Sequence, residues 1–74
     1  MQLRTAVPGA EVEVVSLGLQ EGTLLRAGEL GLRVGSTLRV LHRGPLGARV
    51  IALGGARLAI DGATAAGVEV RVRP

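Results

Sequence analysis

The chain has 74 residues and no cysteine, which suits one domain whose core forms without disulfides or thiolate-bound metal. It also has no Phe, Trp or Tyr, which removes the stacking platforms of single-stranded nucleic-acid binders and the aromatic groove that proline-rich peptides need. All nine basic residues are arginines, they stand singly, and the net charge is only +3; the sequence pI near 11.5 therefore reflects the arginine side chain rather than a phosphate-tracking patch, and no nucleic-acid partner is expected.

Gln2 to Val7 lead into a Pro8-Gly9 turn. Strand one follows at Glu11 to Val15, with Val12 and Val14 on one face and Glu11 and Glu13 on the other. A loop from Gly18 to Gly22 precedes a helix from about Thr23, its expected N-cap, to Leu30. On that helix Leu24, Ala27 and Leu30, with Leu25 and Gly28, recur at three- and four-residue spacings and define an apolar face. Gly31 stands where a helix end takes a left-handed residue.

Strand two runs from about Thr37 to Arg43, with Leu38 and Val40 inward, Arg39 outward and His42 in phase with the inward pair. A Gly44 to Gly47 turn leads to strand three, Arg49 to Leu53. Gly54-Gly55 closes a tight hairpin to strand four, Arg57 to Ile60. Asp61 to Gly67 is a turn or a single helical turn, and strand five ends the chain with Val68, Val70 and Val72 inward. The fold class is mainly β: a small five- or six-stranded Src-homology-3-like barrel with one short helix inserted after the first strand, forming a single domain over residues 1–74. Glu11 and Glu13 facing Arg71 and Arg73 predict that strands one and five are neighbours.

Catalysis has little to stand on. Ser16, Ser36 and His42 allow a triad only formally, because no nucleophile-elbow motif surrounds either serine. Residues 18–23 lack the lysine and the context of a phosphate loop. The chain is not expected to be an enzyme. His42 is the candidate nitrogen ligand for a metal, yet no carboxylate stands at the spacing that builds a first-row site with it; a partly buried structural histidine is the competing reading. Pro45-Leu46 at a turn tip presents a large apolar side chain, either as a docking point or folded back over the barrel mouth. Arg26, Arg43 and Arg49 form a polar rim near it or serve solubility alone.

The run Glu29, Leu30, Gly31, Leu32, Gly35, followed by a strand and then Pro45, Leu46, Gly47, resembles the FeoA-like domains. Pro8, Gly9, Gly55 and the apolar Leu58, Ala59 and Ile60 fall where such domains have them. The chain departs from the pattern at Ala27 and Gly28, where larger apolar residues are usual, and at Asp61 to Ala66, which lacks basic residues often found there.

The resemblance implies a small cytosolic accessory of bacterial ferrous iron uptake, acting by contact with the cytoplasmic domain of a membrane iron transporter. Leu25, Arg26, Arg43, Pro45, Leu46 and Gly47 are the expected partner-binding residues. No tightly bound cofactor is expected; any binding of Fe²⁺ or another divalent transition metal is expected to be weak. No leader is visible, because Pro8-Gly9 interrupts the start, and no apolar run nears the roughly 20 residues of a membrane span. The expected location is the cytoplasm, with recruitment to the inner face of the membrane. The alternative is a metal-dependent regulatory barrel like the C-terminal domain of iron-dependent repressors; beginning at Met1 with no helix-turn-helix, the chain suits that reading only as a fragment.

Overall fold

The computed structural model describes residues 1–73; the last residue of the domain expected over residues 1–74 lies outside them. Alternation of apolar and polar residues builds five strands: β1 Glu11–Leu17, β2 Thr37–Arg43, β3 Arg49–Leu53, β4 Ala56–Ile60 and β5 Val68–Val72. Helix α1, Glu21–Glu29, joins β1 to β2, and a short helix α2, Gly62–Gly67, precedes β5. The strands form one antiparallel sheet in the order β4-β3-β2-β1-β5, curled around Val12, Val14, Leu38, Val40, Ile51, Val68 and Val70.

The first and last strands are neighbours, as the charge pattern predicts, and Glu13 meets Arg71 at 3.2 Å across them. Glu11 turns instead to Arg39 of β2, at 3.3 Å, and Arg73 reaches the Thr37 hydroxyl at 3.0 Å. β1 is an inner strand, so its outward carboxylates divide between two neighbours.

Bulges correct the period-two reading at two places. The register of β1 on β5 shifts between Val14 and Ser16, leaving Val15 as the extra, exposed residue; β1 thereby continues to Leu17, which packs on the core. The register of β2 on β3 shifts between Val40 and His42. The extra residue, Leu41, turns His42 to the outer face opposite Val50, so His42 is exposed rather than in phase with Leu38 and Val40. Val72 also departs from expectation: it pairs with Val12 but extends past the core and is exposed.

Helix α1 begins two residues before the expected N-cap. Gln20 occupies that position without a side-chain bond, and Glu21 places its charge in the first turn, favourable to the helix dipole. The C-terminus closes as a Schellman motif: Leu32 N–H donates to the Ala27 carbonyl at 2.9 Å and Gly31 N–H to the Gly28 carbonyl at 3.1 Å, with Gly31 at φ +92°. The motif seals Ala27 against Leu32, both buried. Ala27 is the buried residue of this helix; the rest of its predicted apolar face stays open to solvent.

The N-terminal lead-in is structural. Leu3 and Ala6 are buried, a 3-10 turn forms at Leu3–Thr5, and Gln2 bridges to Glu69 along the outer edge of β5.

Candidate functional site

The Pro45-Leu46-Gly47 turn is fixed by its backbone. Gly44 N–H donates to the Ala48 carbonyl at 2.9 Å, and Ala48 N–H to the Pro45 carbonyl at 3.0 Å. Between them Leu46 adopts φ +57° and ψ +34°, the left-handed conformation that costs a residue with a Cβ about 1–2 kcal/mol. The Leu46 carbonyl oxygen lies so close over the Cα of Gly62 that a Cβ there would overlap it. The turn is thus pressed onto the start of α2 through main-chain atoms. Its side chain takes no part: Leu46 is 95% exposed and does not fold back over the barrel.

The arginines flanking the turn differ in role. Arg43 is exposed. Arg49, directly opposite it on β3, is only 7% exposed and is no part of a rim. Its Nε donates to the Ala6 carbonyl at 2.9 Å and a terminal nitrogen donates to the Ala48 carbonyl at 2.8 Å, which ties β3 to the N-terminal segment and to the end of the turn. Arginine suits this place because its fork satisfies two carbonyls at once while part of the guanidinium remains wet.

On α1 and the loop after it, Leu24, Leu25, Leu30 and Val34 are 40%, 66%, 52% and 65% exposed. Arg26 lies on the wall of a cleft of about 370 Å³ between α1 and β4, together with Ala27, Leu30, Leu32, Leu58 and Ile60. The candidate residues therefore fall into two groups: Arg43, Pro45, Leu46 and Gly47 at the turn, and Leu25 and Arg26 on α1. Asp61 lines the cleft near Arg26, and the next residue is Gly62, on which the turn is seated.

His42 gains no companions: among the described residues no three His, Asp or Glu side chains gather where they could hold a metal ion. Among the described residues no helix is long and apolar enough to cross a membrane. Sequence reasoning missed the burial of Arg49, the cleft, and the seat at Gly62. The run of small residues from Gly62 to Gly67 was the available signal for the last, since a helix without bulky side chains permits close backbone approach.

The FeoA domain family matches residues 1–72. A crystal structure described as an iron uptake regulatory protein (FeoA) is 32% identical, with 97% of this chain and 94% of that one covered and a TM-score of 0.85. The solution structure of the FeoA protein from Chlorobium tepidum is 30% identical over 97% of this chain and 70% of that one, with a TM-score of 0.88. A manganese-dependent transcriptional repressor in complex with manganese is 25% identical, with 99% of this chain but 36% of the repressor covered and a TM-score of 0.86. No protein with a curated description matches by sequence. The five-stranded sheet with its inserted helix is the Src-homology-3-like barrel that these structures share, and the chain belongs to the FeoA domain family.

Proposed function

We propose that this chain is a non-catalytic accessory of ferrous iron uptake that docks, through the Pro45-Leu46-Gly47 turn and the exposed face of α1, on the cytoplasmic part of a membrane iron transporter. Membership of the FeoA domain family supplies the link to iron transport. The single observation that carries the docking reading is Leu46: a large aliphatic side chain, 95% exposed, on a turn whose backbone is held in a strained conformation. Strain of this kind persists only where the surrounding structure imposes it. It fixes the direction of the leucine without burying it, which suits an anchor that enters a partner's pocket. Arg43 beside the turn and Arg26 on α1 supply a polar margin.

Iron in this reading is the transporter's cargo, and no tight metal site is expected of the chain. A carboxylate introduced at Leu46 tests the docking. Leu46→Asp is expected to keep the thermal stability of the parent and to lose most of its binding to the transporter's cytoplasmic domain, since burial of an unpaired charge costs several kcal/mol. Unchanged binding by the folded variant refutes the role of the turn.

A second reading, a metal-responsive regulatory module, draws on the likeness to the manganese-dependent repressor. It requires binding of manganese or iron to change the chain's affinity for another protein domain. Titration of the transporter complex with Mn²⁺ and Fe²⁺ separates the two readings, because pure docking is insensitive to either ion.

A further inference from the structure

The sheet ends differently on its two sides. The outer edge of β5 is covered by Met1 and Gln2, whereas among the described residues nothing pairs with the outer edge of β4. The cleft beside α1 meets this open edge. Leu58, Ala59 and Ile60 all line it, yet consecutive strand residues point to opposite faces. Three in succession border one cleft only where it meets the strand at its backbone.

The register gives the groups on offer. The two-residue Gly54-Gly55 loop makes Leu53 and Ala56 a hydrogen-bonded pair. Counting from there, Ala56, Leu58 and Ile60 turn their N–H and C=O toward β3, and Arg57 and Ala59 turn theirs outward. The open edge is therefore a row of unpaired donors and acceptors alongside an apolar trough, the arrangement into which an extended segment fits as an added strand.

We propose that β4 is a strand-addition site for an extended, acidic segment of a partner protein, whose main chain pairs with Arg57 and Ala59 and whose alternate apolar side chains enter the cleft against Leu30, Leu32 and Leu58. Charge selects this occupant. The cleft wall carries both signs, Arg26 and Asp61, whereas the exposed Arg57 on the strand makes no ion pair among the described residues, where arginine pairs form at Glu11 and Glu13 alone. A second copy of the chain carries a net charge of +3 and brings another Arg57 to the contact, which is less favourable than a segment that carries carboxylates alone. An acidic segment sets its carboxylates beside Arg57 while its apolar residues face the cleft. The site goes beyond the docking of Leu46 and does not depend on it, although Asp61 at the end of the cleft adjoins the Gly62 seat, so one partner can engage both.

The probe is a short peptide of alternating Val and Glu, compared with one in which Lys replaces Glu, added to the isotope-labelled full chain. The Val-Glu peptide is expected to shift the amide resonances of Arg57 and Ala59 and slow their hydrogen exchange; the Val-Lys peptide is expected to do neither. Ala59→Pro deletes an outward N–H, tolerable at an open edge, and is expected to weaken binding roughly tenfold or more, about the loss of one strong hydrogen bond. Arg57→Glu should reverse the preference between the peptides, and this reversal carries the test if Ala59→Pro does not fold. Leu46→Asp should leave peptide binding unchanged, which keeps this site distinct from the turn. Shifts confined to other surfaces, undiminished binding by folded Ala59→Pro, or no binding of the Val-Glu peptide overturns the proposal. So does a dimer in sedimentation that Ala59→Pro dissociates, which assigns the edge to a second copy.

Discussion

Replacing Leu46 by glycine separates stability from docking. At φ +57° and ψ +34° the leucine sits in a conformation that costs about 1–2 kcal/mol for any residue with a Cβ and that glycine adopts freely. Glycine gives back part of that gain, since it loses more backbone freedom on folding, about 0.5–1 kcal/mol. The side chain itself contributes almost nothing to the folded state, because it is 95% exposed. The net expectation is a stabilisation of about 0.5–1 kcal/mol, which for a domain of this size raises Tm by roughly 2–6 °C. Binding should move the opposite way. An aliphatic anchor in a partner's pocket is typically worth 2 kcal/mol or more, so affinity for the transporter's cytoplasmic domain falls by about thirtyfold. Thermal unfolding followed by circular dichroism, and calorimetric titration of that domain, measure the two effects on one sample. A fall in Tm of several degrees would show that Leu46 packs on the barrel and refute the reading of the turn as a rigid, outward mount. Unchanged affinity in a stabilised variant would refute the leucine as the anchor.

Gly62→Ala should cost about 2–4 kcal/mol, because the new methyl overlaps a carbonyl oxygen of the main chain rather than a side chain that can swing away; a loss below about 0.5 kcal/mol in chemical denaturation would deny the seat. Arg49→Met keeps the alkyl stem but leaves the Ala6 carbonyl without its donor, and a loss of about 1–3 kcal/mol is expected, against near neutrality if the guanidinium is merely solvated. Nucleic-acid binding should be negligible at physiological salt, and a steep dependence of affinity on ionic strength would contradict the reading of the arginines as single surface charges. Anaerobic calorimetry with Fe²⁺ should show no tight site, and His42→Ala should leave the isotherm unchanged, since the histidine stands on the outer face with no carboxylate cluster around it.

Most of the fold was legible because its signals are local. Alternation at Val12 and Val14, the Gly54-Gly55 hairpin and the helix stop at Gly31 each follow from one or two residues. One error comes from a phase carried too far. His42 changes face because a bulge inserts one residue before it, and a bulge depends on how two strands meet rather than on either sequence alone. Arg49 was read as polar and hence exposed. Its burial requires the Ala6 carbonyl, 43 residues away along the chain, and a contact at that range leaves no trace in the local pattern. The projecting leucine was visible in the Gly44-Pro45-Leu46-Gly47 spacing; its left-handed backbone was not, because glycine or asparagine is the usual occupant of that conformation.

The same separation explains how so small a chain keeps apolar residues in view. The core is made mainly by the strands with Leu3, Ala6, Leu32 and Ala65, whereas α1 contributes Ala27 alone. Gly28, half-buried beside it, adds no side chain to fill the gap, and glycine within a helix costs about 1 kcal/mol relative to alanine. Leu30 lines the cleft, and Leu24 and Leu25 stand exposed on the same helix. The leucines on α1 and at position 46 therefore add little to folding. On the proposed reading, that exposed aliphatic surface is what a partner covers.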